Sequence, residues 1–327
     1  MEILITESIE GQALKTLEER YVVLRDANLW KNPRELSARI ARASAVIIRN
    51  QTKIDSDVLC KAEALLVIAR AGAGYDNIDI EAASKAGVVV TYTPNENSIS
   101  TAEHAFGLIL SLYRKIPASH ISVAKGAWDR YDFVGHELFG KTLGILGLGK
   151  VGGRLALRAR AFGMKVVAYD KFLSPNNYLA TETGVILKGL EDVLKEADIV
   201  SCHLPSDMST RGLLDFTKFA LMKSQAIIIN TSRGDVIVEK DLVRALKEGV
   251  IAGAGLDVRE KEPPAESELN QLDNVVLTPH VAGLTIEAQE KVVESLVGDV
   301  EKVLRGQPAI NFVNFPLPQK GAITNVK

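Results

Sequence analysis

The stretch Gly147-Leu-Gly-Lys-Val-Gly152 constrains this chain most, because of what surrounds it. Thr142-Leu-Gly-Ile-Leu146 precedes it as a short apolar run that reads as a buried strand. Arg154 to Phe162 follows with a helical pattern, stopped by Gly163. Val166-Val-Ala-Tyr169 then reads as a second strand and runs into Asp170. Strand, glycine turn, helix, strand and acid, in that order, are the parts of a dinucleotide-binding unit. Gly147 allows the tight turn, Gly149 lets a pyrophosphate approach the backbone, and Gly152 lets helix and strand pack closely. The helix N-terminus offers N–H groups and a partial positive charge to the phosphates. Asp170 stands where an acid hydrogen-bonds the ribose hydroxyls of the adenosine half. A glycine-rich turn in an ordinary α/β domain is the alternative, and the order of the flanking elements argues against it.

A chain of 327 residues suggests two domains with substantial cores. Its 46% hydrophobic and 24% charged residues are ordinary for a globular protein. The formal net charge of −2 gives no basic footprint, so no nucleic-acid partner is expected. No apolar run approaches the ~20 residues needed to span a bilayer, and no membrane association is expected. Met-Glu-Ile-Leu-Ile-Thr6 lacks a basic leader and reads as the first strand. Cys60 and Cys202 form no CxxC and sit in apolar-rich surroundings. They read as free buried thiols in a reducing, cytoplasmic compartment, with no disulfide and no metal site.

The first hundred residues alternate apolar strands (Ile3–Ile5, Tyr21–Leu24, Ala45–Ile48, Leu65–Ile68, Val88–Thr91) with helical patterns such as Glu10–Glu19, Pro33–Arg42 and Ile80–Ala86. Such alternation predicts a parallel sheet covered by helices. After a break at Pro94-Asn-Glu-Asn97, Ser100-Thr-Ala-Glu103 has the form of a capping box opening an apolar helix to about Arg114, which Pro117 ends. A second array begins at Thr142, and its further strands are Ile199–Cys202, Ala226–Asn230, Ala254–Asp257 and Val275–Leu277, six in all. A last helix covers about Ile286–Leu304, and the apolar tail Pro308–Phe315 should pack against the fold.

Three segments follow the later strands: Asn230-Thr-Ser-Arg233-Gly, Gly255-Leu-Asp257-Val-Arg-Glu-Lys-Glu262-Pro-Pro264 and Thr278-Pro-His280-Val-Ala-Gly283. In an open parallel sheet, ligands bind beyond the carboxyl ends of the strands. An arginine, a glutamate and a histidine can therefore converge there. Taken alone, each could be a loop residue or a surface charge.

With Arg70-Ala-Gly-Ala-Gly-Tyr-Asp-Asn-Ile-Asp79, Thr93-Pro-Asn-Glu-Asn-Ser98 and Gly140-Lys-Thr-Leu-Gly-Ile-Leu-Gly-Leu-Gly149, these segments make the sequence resemble the D-2-hydroxyacid dehydrogenase family over nearly its whole length. Within that family it resembles the 3-phosphoglycerate dehydrogenase branch, which belongs to serine biosynthesis. The resemblance implies an α/β architecture of two doubly wound domains, a Rossmann dinucleotide-binding domain inserted in a flavodoxin-like substrate domain. Residues 1–98 and 284–327 would form the substrate domain and 99–283 the NAD-binding domain, with the active site in the cleft. That branch often carries a further C-terminal serine-binding domain, and this sequence, ending at Lys327, is expected to be a short form without one.

The resemblance also implies residue roles. His280 would be the acid–base, Glu262 its partner on the other ring nitrogen, and Arg233 the fork that binds the substrate carboxylate. NAD is the implied cofactor, held by Gly147, Gly149, Lys150, Val151, Gly152, Asp170, His203, Leu204, Pro205, Thr210 and Thr231, with Asp257 on the nicotinamide carboxamide. His104 reads as structural. Ala73 and Gly74 would cradle a carboxylate with backbone N–H groups. Asn97 joins the implied substrate residues, and Arg49, Arg70 and Arg130 match basic positions that could bind a phosphate. The implied substrate is a small 2-hydroxy or 2-keto acid, foremost 3-phosphoglycerate. A hydroxypyruvate or glyoxylate reductase is the alternative on the same scaffold, and a dinucleotide-sensing corepressor the alternative of another class. The family's two-fold dimers use the region around residues 100–140. The helix Thr101–Arg114, apolar nearly all round, and the aromatic residues Trp128, Tyr131 and Phe133 fit a homodimer.

Overall fold

A computed structural model of the chain describes residues 1–174 and 177–319. Two units emerge, Ser98–Gly283 and a discontinuous one made of Met1–Asn97 and the segment from Leu284 onward. The end of the expected substrate domain, residues 320–327, lies outside the described residues.

The discontinuous unit is built on a parallel sheet of β1 (Glu2–Ile5), β2 (Val22–Arg25), β3 (Ala45–Ile48), β4 (Val67–Arg70) and β5 (Val89–Thr91), in the order β2-β1-β3-β4-β5. This is the flavodoxin-like order. β3 and β4 are buried along their whole length, which is why they read as unbroken apolar runs rather than alternating ones. One face is covered by helices Gln12–Arg20 and Ile286–Leu304, through Leu14, Leu17, Val293, Leu296 and Val300. The tail lies along β5: Val313 N–H donates to Val90 O at 2.8 Å, and the Asn314 side chain bonds the Val90 N–H and Val88 carbonyl.

The second unit carries β6 (Thr142–Leu146), β7 (Lys165–Tyr169), β8 (Ile186–Leu187), β9 (Ile199–Cys202), β10 (Ile227–Asn230), β11 (Gly253–Leu256) and β12 (Val275–Leu277). Their order is β12-β11-β10-β9-β6-β7-β8, all parallel. The sheet therefore has seven strands, not six. β8 is only two residues long at the sheet edge, too short to leave an apolar signature. β11 is glycine-rich because the helix Ser98–Tyr113 lies directly on it. A Cβ at Gly255 would stand 3.2 Å from Leu108 Cβ and 2.9 Å from Ile229 Cδ1.

That helix begins at Ser98, so the expected capping box at Ser100 is not formed. Ser100 is buried within the helix, and Glu103 is drawn to Arg158 at 2.6 Å instead of back to the cap. Pro117 does not end it either. Lys115 breaks the helix by turning into the left-handed region (φ 51°), and Pro117 sits in the first turn of a new helix, Ile116–Ala124. Cys202 is buried, but Cys60 is exposed, since it follows the short helix Ser56–Leu59 on the surface side.

Candidate functional site

The glycine turn opens the second unit's ligand site. Gly147 has φ +95°, and a Cβ there would stand 2.7 Å from the His203 carbonyl oxygen, so only glycine fits. A Cβ at Gly152 would meet the Gly147 carbonyl oxygen at 2.3 Å, which is the close helix–strand packing expected of it. A Cβ at Gly149 would meet nothing within 4 Å, leaving room for a ligand against the backbone. Gly149 caps the helix Lys150–Ala161, so Lys150 and Val151 lie in its first turn with Gly152. Their amides belong to the turn that has no intrahelical acceptor.

A cavity of about 340 Å³ adjoins this turn. Gly147, Gly149, Asp170, His203, Leu204, Pro205 and Thr210 line it, together with Tyr169, Lys171, Phe172, Asp207, Ser209 and Leu213. The sequence offers no comparable mark for this second group, whose members are brought in by the loop after β9 and the end of β7. Asp170 accepts the Leu148 N–H on Oδ2 and the Phe172 N–H on Oδ1, both at 2.9 Å. Burial pushes the His203 imidazole down to about 4, and its Nε2 lies 2.9 Å from Ser201 Oγ. His203 is therefore neutral at pH 7.

Thr231 and Asp257 lie beyond the cavity lining. The Thr231 hydroxyl is buried with no hydrogen-bond partner among the described residues. Such an atom calls for a ligand. Asp257 is 1% exposed, and its carboxylate is taken up by its own unit. Oδ1 accepts from the Thr278 hydroxyl at 2.5 Å and the Val281 N–H at 2.9 Å, and Oδ2 from the Ala282 N–H at 2.8 Å. His104 joins this cluster, its Nε2 3.0 Å from Thr278 Oγ1 and 3.5 Å from Asp257 Oδ1.

Glu262 and His280 come together: His280 Nδ1 and Glu262 Oε2 are 2.6 Å apart. The second oxygen of Glu262 accepts the Arg259 N–H at 3.1 Å. Nδ1 donates to the carboxylate, which leaves Nε2 as the ring nitrogen available for chemistry. Arg233 follows β10, where buried Asn230 fixes the loop. The Asn230 amide donates to Arg233 O at 2.8 Å, and its oxygen accepts from Ser232 N and Oγ. The Arg233 guanidinium donates to Ser232 O at 2.7 Å. Gly234 ties this loop to the one bearing Glu262. A Cβ there would stand 1.9 Å from Arg259 O.

In the discontinuous unit, the expected substrate residues gather on the loops after β3 and β4. Arg70 is buried and folds over Gly72, where a Cβ would stand 1.7 Å from its Nη1. Gly72 (φ +143°) begins the turn that carries Ala73 and Gly74, both half-buried. Arg49 donates through its guanidinium to Gln289. Burial lowers the Arg49 pKa from its ordinary value, opposed by the charge of Glu7. Glu7 is a residue the sequence does not mark. It is 5% exposed and accepts the N–H groups of Arg49, Gln51 and Thr52 at 2.8, 3.1 and 2.9 Å. Its position after β1 gives no local signal, because its partners lie more than forty residues away. Asn97 is half-buried at the end of this segment. Arg130 belongs to the other unit, exposed beside the Tyr131 ring at 5.9 Å.

Among the described residues no group of three or more His, Cys, Asp or Glu is placed to hold a metal ion, and no helix is long and apolar enough to cross a membrane.

The strand order, the glycine turn and the cavity beside it define a dinucleotide-binding α/β protein. Residues 106–282 match the family model described as D-isomer specific 2-hydroxyacid dehydrogenase, NAD binding domain, and the chain belongs to that family. It is 43% identical over 322 residues to a D-3-phosphoglycerate dehydrogenase of Methanocaldococcus jannaschii, covering 98% of this chain and 61% of that protein. The chain spans about three fifths of the length of the curated relatives it matches. Among solved structures, the TT0316 protein of Thermus thermophilus superposes with a TM-score of 0.88 at 36% identity, covering 96% of this chain and 100% of that one. A D-lactate dehydrogenase of Aquifex aeolicus, complexed with NAD and lactic acid, superposes with a TM-score of 0.85 at 29% identity, covering 96% and 99%.

Proposed function

We propose that this chain is an NAD-dependent D-2-hydroxyacid dehydrogenase whose substrate is 3-phosphoglycerate. The His280–Glu262 pair at 2.6 Å carries the reading, in a chain whose family is defined by 2-hydroxyacid chemistry. The relatives named D-3-phosphoglycerate dehydrogenase, at about 40% identity over most of the chain, support the substrate.

Gly147, Gly149, Lys150, Val151 and Gly152 hold the pyrophosphate of NAD, Asp170 the ribose, and His203, Leu204, Pro205 and Thr210 the adenine side. Thr231 and Asp257 would hold the nicotinamide end. When bound, the cofactor supplies or accepts the hydride at the substrate C2. Arg233 binds the substrate carboxylate and polarises the carbonyl with a planar, permanently charged fork. His280 Nε2 donates a proton to the carbonyl oxygen in reduction and takes it from the hydroxyl in oxidation. Glu262 acts through His280. It holds the tautomer and stabilises the imidazolium. The discontinuous unit serves as the substrate domain. Ala73 and Gly74 cradle the carboxylate, Asn97 contributes a polar contact, and Arg49, Arg70 and Arg130 supply charge for a phosphate.

The protein works as a homodimer in a reducing, cytoplasmic setting, which suits the free thiols of Cys60 and Cys202. The dimer face is the arm after the first long helix. Helix Ile116–Ala124 buries none of its residues, and Ile116, Ile121, Val123, Trp128, Tyr131, Val134 and Phe139 are all exposed on this stretch. Apolar exposure concentrated on one stretch of chain supports an interface there. The helix Ser98–Tyr113, by contrast, is largely covered by its own unit.

A panel of 2-hydroxy and 2-keto acids, assayed with NAD(H) and NADP(H), tests the reading. The highest kcat/KM is expected for 3-phosphoglycerate or its 2-keto form with NAD(H). A preference for unphosphorylated hydroxypyruvate or glyoxylate would replace the substrate, and no turnover of any member would overturn the activity.

A further inference from the structure

Arg259 and Glu239 form an ion pair to which the mechanism above gives no role. Arg259 Nη2 lies 2.5 Å from Glu239 Oε1 and its Nε 3.0 Å from Oε2, a two-pronged fork. The side chains are 8% and 22% exposed. Burial pushes the Glu239 carboxyl up, but hydrogen bonds from Arg259 and Ser267 and the Arg259 charge outweigh it and hold the group below its ordinary value. Taking two charges largely out of water costs about as much as their attraction returns, so such a pair is weak evidence for a stabilising role. Its geometry is better explained by what it holds in place.

The fork joins the loop after β11 to the first turn of the helix Glu239–Lys247. The link is doubled, because the Glu239 N–H donates to Glu260 Oε2 at 3.0 Å. The pinned backbone on either side of the Arg259 Cα touches the machinery at two places. On one side the Arg259 N–H donates to Glu262 Oε1, whose other oxygen takes His280 Nδ1. On the other side Arg259 O and Glu260 N are pressed on Gly234, beside Arg233, so closely that a Cβ on Gly234 would stand 1.9 and 2.5 Å from them. The Arg259 backbone thus touches Glu262 and the segment of Arg233, and reaches His280 through the Glu262 carboxylate.

We infer that Arg259 is a positioning residue: its fork on Glu239 locks its own backbone, and through the Arg259 N–H the carboxylate of Glu262 against His280. Because this rests on the proposed function, the test separates the two. Arg259→Met removes the fork and keeps an apolar stem of similar length. Its kcat for keto-acid reduction should fall about 10-fold or more, since small misplacements of reacting groups are costly. The basic limb of its pH–rate profile should move to lower pH, as the imidazolium loses an oriented carboxylate. NADH binding, followed by fluorescence, should stay within about two-fold, because the cavity at Gly147 and Asp170 is untouched. In a Glu262→Gln background the same change should move the limb no further, as residues that act as one unit are not additive. A wild-type profile in Arg259→Met, or a shift that adds in full to that of Glu262→Gln, would overturn the inference. Should Arg259→Met fail to fold, Glu239→Gln decides. It keeps the shape and weakens the fork, so a shifted limb supports the role and an unshifted limb ends it. His280→Ala is the control. If it retains full turnover, the proposed function fails and this inference with it. If it is inactive while Arg259→Met behaves as wild type, this inference alone fails.

Discussion

His280 Nδ1 meets Glu262 Oε2 at 2.6 Å across 18 residues of sequence, from a backbone held in the left-handed region (φ 55°). That conformation costs a non-glycine residue about 1–3 kcal/mol, and such strain gathers at functional sites. Asp257 sustains it. The His280 N–H donates to the Asp257 carbonyl at 2.8 Å, while the next two N–H groups donate to the Asp257 carboxylate.

His280→Ala should lower turnover by roughly two to four orders of magnitude, the contribution of a positioned general acid. Cofactor binding should persist. Steady-state kinetics with NADH titration checks both, and near-normal turnover would remove His280 from the mechanism. Glu262→Gln should leave a smaller loss at neutral pH and move the basic limb of the profile to lower pH.

Asp257→Asn should reduce both stability and turnover. The amide can accept on one side only, so one of the loop N–H groups would face an NH₂. An unsatisfied buried group costs about 1–3 kcal/mol. The expected result is a lower urea midpoint together with a lower kcat, because the loop holding His280 loosens. Unchanged values for both would show that the loop is held by other contacts.

Cofactor choice should favour NAD. Both Asp170 oxygens are anchored by backbone N–H groups, which fixes a negative charge at the cavity rim. That charge repels a 2′-phosphate, although Lys171 beside it reduces the effect. Asp170→Ser should raise the NADPH-to-NADH ratio of kcat/KM by about 10-fold, the scale of one charge contact at a partly exposed site. Equal efficiency with both cofactors in the wild type would remove Asp170 from this role.

Stability should fall in acid through His203. Its folded pKa of about 4 lies below the ordinary value of 6.5, so the unfolded chain takes up this proton first. The contribution is present in full above pH 6.5 and is lost progressively as the pH drops toward 4. Chemical denaturation of the wild type and His203→Gln at pH 7 and pH 4.5 should show a smaller acid loss in the variant. An identical loss in both would place the proton uptake elsewhere.

Light scattering at micromolar concentration should give twice the 35.5 kDa chain mass. Ile121→Asp, on the helix that buries no residue of its own, should shift the mass toward that of a single chain while leaving the far-ultraviolet spectrum intact. A wild-type mass near 35.5 kDa would rule out the dimer.

Short-range patterns were legible in the sequence. Gly147, Gly149 and Gly152 between two apolar runs announced the dinucleotide turn, and the run Thr142–Leu146 announced a buried strand, because turn chemistry and hydrophobic periodicity are local properties. Local signals failed where distant residues competed for the same groups. Glu103 looked like a cap but is drawn to Arg158, and Pro117 looked like a stop but sits in the first turn of a helix. β8 was too short to see, and Cys60 faced outward for reasons only packing sets. The sequence by itself determined the alternation of most strands and helices along the chain and the glycines that a phosphate-binding turn requires. The tertiary structure decided that Asp257 fastens the loop of His280, that Glu7 gathers the amides of residues 49–52, and that Arg259 bridges Glu239 and Glu262. Each of these depends on loops from separate strands meeting at one end of a sheet, and a hydrogen bond between residues far apart in sequence leaves no periodicity to read.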